Sequence, residues 1–109
     1  MGEYLPDNWV VLKISPKNEA PHYRVLGGWS GGYLYGSSWR MNSGIVKVFE
    51  DDVSYTFVGK SGSKYVCRKN SNCIRMNIAG VIKTYEELHP GLVEVMPEGT
   101  DWKKLFNTP

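Results

Sequence analysis

The sequence predicts an α+β domain: a strongly bent, mostly antiparallel sheet of five to seven strands, one main helix over about residues 77–89 and a short C-terminal helix. Three observations carry this reading. Short runs rich in β-branched and aromatic residues recur along the chain, separated by hairpin-length connections bearing Gly, Ser, Asn or Pro. Near Asn77 the hydrophobic period changes from two residues to three or four. Finally, 109 residues, 41% hydrophobic and 22% charged, suit one domain over 1–109 with a core of its own, not a disordered chain or a coiled coil.

Residues 1–8 read as an arm leading into the domain, with Pro6 and a turn-like Asp7-Asn8. The run 9–14 (WVVLKI) is a first strand. Prolines bound the loop 15–21, and 22–26 (HYRVL) is a second strand. It runs into Gly27-Gly28, which signal a bulge or a close backbone approach. The segment 27–44, GGWSGGYLYGSSWRMNSG, holds six glycines, four serines and four aromatics, so it forms no helix. It reads as a loop and then a strand ending near Asn42. Runs 45–49, 53–58 and 64–68 form an antiparallel meander joined by tight turns, with 73–76 as a short return strand.

From Asn77 onward, Ile78, Val81, Ile82, Tyr85 and Leu88 share one helical face. Asn77 is the expected cap, Pro90-Gly91 the stop, and Gly80 the mark of a close approach to the sheet. A last strand over 92–96 precedes a C-terminal helix within 100–106. Thr100 is its expected cap, and Trp102, Leu105 and Phe106 its anchors.

Charge is unevenly laid out. Residues 53–85 carry six bases and no acid, whereas 86–101 carry five acids and no Lys or Arg. Such a chain either presents a basic and an acidic face or packs the two segments together. No stretch is apolar enough to span a bilayer, and no export signal opens the sequence, so the expectation is a cytoplasmic protein without a membrane partner. Cys67 and Cys73 are expected to be free thiols, because that compartment disfavours a disulfide and His22 and His89 lie outside zinc-finger spacing.

The chemical motifs are sparse. The glycines of GGWSGGYLYG lack the strand–turn–helix context of a dinucleotide site. No serine stands in a nucleophile elbow, and the adjacent acids at 51–52 and 86–87 read as solvated surface. The expectation is therefore no catalytic residue, no metal and no cofactor, with His22 and Cys67 the first side chains to test for hidden chemistry. The internal echo of Arg40-Met41-Asn42 in Arg75-Met76-Asn77 places Arg and Asn on one face of an extended chain, so the two copies are candidates for one shared site.

A binding surface suits the aromatic-glycine segment better, since rings among small residues give rigid contact area at little entropic cost. The leading expectation is a non-enzymatic interaction protein with Trp29, Tyr33, Tyr35, Arg40 and Asn42 as contacts to a protein partner or to a second copy of this chain. The alternative is a nucleic-acid or nucleotide-binding domain, in which Arg40, Lys64, Arg68, Lys69 and Arg75 meet phosphate beside aromatic stacking platforms.

The run YRVLGGWSGGYLYGSSWRMNSGI, with LPDNWVVLKI before it and IRMNIAG after it, resembles small uncharacterised accessory proteins of tailed bacteriophages, over residues 5 to about 85. The resemblance implies a viral protein acting in the host bacterial cytoplasm on a host or defence protein. It carries over no residue role.

Overall fold

The computed structural model describes residues 2–32 and 36–106. It shows an α+β architecture, but the strands form two four-stranded sheets and not one bent sheet. The first sheet has the order β1-β7-β6-β5, from β1 (Glu3–Tyr4), β5 (Ile45–Glu50), β6 (Ser54–Gly59) and β7 (Lys64–Arg68). The second has the order β4-β3-β2-β8, from β2 (Asn8–Ile14), β3 (His22–Gly32), β4 (Gly36–Met41) and β8 (Val93–Val95). Helix α1 spans Met76–Leu88 and α2 spans Trp102–Phe106.

Strand β2 explains the layering. Its residues are buried on both faces, so its alternating side chains must serve two cores. Trp9 and Val11, with Val25 of β3, face the first sheet and pack on Ile45, Val48, Phe57, Tyr65 and Cys67. Val10, Leu12 and Ile14, with Leu26, face the other way and are covered by Ile78 and Ile82 of α1. The layers therefore run first sheet, second sheet, helix. Trp102 of α2 closes the inter-sheet core, edge-on to Phe57 at 5.7 Å between ring centroids.

The meander β5-β6-β7 is as expected. Other expectations need correction. Within the leading arm, Glu3 and Tyr4 form a strand that pairs in parallel with Lys64 and Tyr65 of β7. Strand β3 runs on to Gly32, with a register shift between Trp29 and Gly32. No return strand follows β7. Instead Lys69–Ser71 make one 3-10 turn, Asn72 bridges to Trp9, and α1 begins at Met76. Asn77 thus lies inside the helix, and Arg75 stands at its N-cap without a capping side-chain bond.

At α2, Asp101 and not Thr100 is the cap: its carboxylate accepts the Lys104 N–H at 3.0 Å, while the Thr100 hydroxyl donates to the Pro97 carbonyl at 2.6 Å. Leu105 is exposed, leaving Trp102 and Phe106 as the anchors. Gly27 does mark a close approach, because a Cβ there would stand 2.9 Å from Cβ of Pro6. Gly80 does not: a Cβ there meets nothing within 4 Å.

Both cysteines are free thiols, Cys67 in the inter-sheet core and Cys73 half-buried. Among the described residues no helix is long and apolar enough to cross a membrane. Ile82 gives a direct check on the helical layer. Ile82→Ala is expected to cost about 2–3 kcal/mol, low in the range for such truncations because the site lies at the edge of its core. Urea denaturation reads this as a lower midpoint at constant slope; an unchanged midpoint would show that Ile82 does not pack on β2.

Candidate binding surface around Trp39

Strand β4 is an edge of the second sheet, so one side of its backbone has no strand partner among the described residues. On its paired side Trp39 and Arg40 lie opposite Gly28 and Gly27. At Gly27 the space a side chain would take is filled by Pro6 and approached by the Trp29 ring. Trp39 is 52% exposed and forms a shared wall between two concavities.

The first is a polar cleft of about 360 Å³ lined by Glu3, Tyr4, Leu5, Trp29, Ser38 and Arg40 besides Trp39. The Arg40 guanidinium lies over the Tyr4 ring, 4.6 Å from its centroid. Tyr4 in turn meets Trp29 edge-on at 6.4 Å, and the Trp29 Nε1–H donates to the Leu5 carbonyl at 3.1 Å. The parallel pairing of β1 with β7 is what carries Tyr4 to this position.

The second is an open groove of about 860 Å³ between α1 and strands β3 and β4. Trp39, Met41, Gly80, Val81 and Leu88 make its apolar lining, and Leu88 is 70% exposed. Arg24, Thr84 and Tyr85 supply its polar groups. Arg24 is held firmly: its Nε–H donates to the Asn42 carbonyl at 2.7 Å and its Nη1 to the Tyr85 hydroxyl at 3.1 Å.

Of the expected contact residues, the structure brings Trp29 and Arg40 together at the cleft. Tyr33 and Tyr35 lie outside the described residues. Asn42, expected as a contact, is buried and serves the backbone. Its N–H donates to the Val25 carbonyl at 3.0 Å, and its side-chain Oδ1 accepts the Val25 N–H at 2.9 Å and the Gly44 N–H at 3.3 Å. The side-chain amide thus stands in for a main-chain carbonyl just past the end of β4. The chain is then free to turn through Gly44, whose φ of +127° favours glycine, and to enter β5 in the other sheet.

Of the basic residues of the alternative reading, Lys64, Arg68, Lys69 and Arg75 are not among the described lining of either concavity, although Lys64 pairs in the ladder with Glu3 of the cleft. Lys64 and Arg68 are exposed on β7, and Arg75 is exposed at the start of α1. Lys69 is engaged, with its ammonium 2.7 Å from the Glu50 carboxylate and 5.2 Å from the Tyr55 ring centroid. That hydrogen bond to Glu50 raises the Lys69 pKa. The repeated Arg-Met-Asn segments enter different elements, a strand and a helix.

Burial pushes the Cys67 thiol well above its ordinary range, which makes it a poor nucleophile. His22 is shifted down by partial burial and by the charges of Lys60 and Arg24. Among the described residues no three His, Cys, Asp or Glu side chains gather as metal ligands. Tyr4, Arg24, Trp39 and Tyr85 of the two concavities are not among the contacts expected from the sequence. No local signal marks Tyr4, Arg24 or Tyr85, since each reaches the surface by tertiary pairing.

No family model, no curated protein and no solved structure matches the chain. The reading of the site rests on its geometry.

Proposed function

We propose that this chain is a small non-enzymatic interaction protein that engages a protein partner through β4 and the cleft beside it. In the setting that the phage resemblance implies, the partner is a host or defence protein in the bacterial cytoplasm. The exposed Trp39 carries the reading. A large ring held half in solvent, flanked by Trp29, Tyr4 and Arg40, has the composition of an interface anchor, where Trp, Tyr and Arg supply most of the binding energy. The open edge of β4 offers main-chain donors and acceptors to the same partner. Against the nucleic-acid alternative stand the engagement of Lys69 by Glu50 and the absence of Lys64, Arg68 and Arg75 from the described lining of the aromatic cleft.

The test is affinity capture from bacterial lysate with wild type and Trp39→Ala, followed by titration of the recovered partner. Trp39 is exposed enough for the variant to fold normally. The expected loss is about 2 kcal/mol or more, at least about 30-fold in affinity. Equal binding by both proteins would refute the reading. So would salt-sensitive binding of labelled oligonucleotides in the absence of any captured protein, which would favour the alternative.

A further inference from the structure

Among the described residues, the groove between α1 and β4 holds a cation without a counter-ion. Arg24 is half-buried there, and among the described residues no carboxylate pairs with it. Its two protein acceptors, the Asn42 carbonyl and the Tyr85 oxygen, occupy Nε and Nη1 and fix the orientation of the guanidinium plane. The remaining N–H groups have no acceptor among the described residues. The Tyr85 oxygen accepts from Arg24, and among the described residues its O–H has no protein acceptor, which leaves it a donor on the lining of the groove. Arginine does not shed its charge to relieve this situation.

We propose that this groove is a binding site for a small amphipathic monocarboxylate. The acid group sits against the free edge of the Arg24 guanidinium and accepts the Tyr85 O–H. The apolar body lies along Met41, Val81 and Leu88, with the Trp39 ring as one wall. Several features select this ligand class. A volume of about 860 Å³ falls in the range of small-molecule sites. Arg24 is the one cation among the described lining residues, which matches one negative charge better than a phosphate dianion. The bare backbone at Gly80 keeps the helix side open, since no atom stands within 4 Å of where a Cβ would project. The inference shares the Trp39 wall with the partner reading but goes beyond it, because its ligand is a small molecule and its polar contacts are Arg24 and Tyr85, neither of which lines the cleft.

The experiment is titration of ¹⁵N-labelled protein, followed by amide chemical shifts, with octanoate, octanol and octylammonium as probes of equal chain length. Octanoate is expected to perturb Arg24, Val81, Thr84 and Tyr85 selectively and to bind about tenfold or more tighter than octanol, the difference a charge-assisted hydrogen bond makes. Leu88→Glu, at an exposed position where the fold is indifferent, places a like charge at the rim and should weaken octanoate without weakening octanol to the same degree. Tyr85→Phe keeps the ring, removes the donor and should narrow the gap between the two probes. Equal binding of octanoate and octanol, preference for octylammonium, perturbation confined to other elements, or no perturbation at millimolar octanoate would each overturn the proposal.

Discussion

Trp9→Ala is expected to lower the unfolding free energy by about 3–5 kcal/mol, a large part of the 5–15 kcal/mol typical of a domain. Trp9 is fully buried in the inter-sheet core, 5.5 Å from the Phe57 ring and 6.3 Å from Tyr55 between centroids. Truncation removes those contacts and leaves a cavity between two sheets that cannot both collapse onto it. It also orphans the Arg68 carbonyl, which accepts the Trp9 Nε1–H at 2.7 Å. Trp9→Phe keeps an aromatic ring and loses the donor, so it should fall between alanine and wild type. Urea denaturation at constant slope is the measurement, and an alanine variant within 1 kcal/mol of wild type would mean that the two sheets do not meet at this residue.

Asn42→Ala is the second large loss, about 2–5 kcal/mol, although the substitution removes no hydrophobic contact. Alanine leaves the Val25 and Gly44 N–H groups without an acceptor in a buried place, at about 1–3 kcal/mol each. Part is offset, since the Asn42 Nδ2 group is itself buried without a partner and disappears with the side chain. Hydrogen exchange should show lost protection concentrated at Val25 and Gly44. If Asn42→Ala instead leaves stability unchanged and abolishes partner binding, Asn42 is a contact residue after all and the ladder account is wrong.

That contrast shows where sequence reasoning reached and where it stopped. Helix α1 was legible to within a residue at each end, because a change of hydrophobic period is a local property. The continuous apolar run of β2 carried a further message, burial on both faces, from which a layer on each side follows. What no run of residues encodes is which strands share hydrogen bonds, so the strands were readable and their division into two sheets was not. The dipeptide of β1 is too short to show any period, and its partner β7 lies about 60 residues away. Arg40 was among the expected contacts, whereas Trp39, in the same aromatic-glycine segment, was not. Asn42 looked like the neighbour of Arg40 in role as well as in sequence, yet its amide faces the backbone of β3. The Arg24–Tyr85 pair joins residues 61 apart, and only the docking of α1 brings it into being.

The pairing of β8 with β2 has a consequence in time. Leu12 and Ile14 find their partners in Val95 and Val93, about 80 residues later in the chain. At ribosomal rates of roughly 5–20 residues per second, β2 waits about 4–16 s on the growing chain before that neighbour emerges. During this interval the meander and the β2–β3 hairpin can form, but one long apolar strand keeps an open flank. Until β8 arrives, the open flank of β2 is a row of unpaired N–H and C=O groups, the kind of edge that templates pairing with another chain.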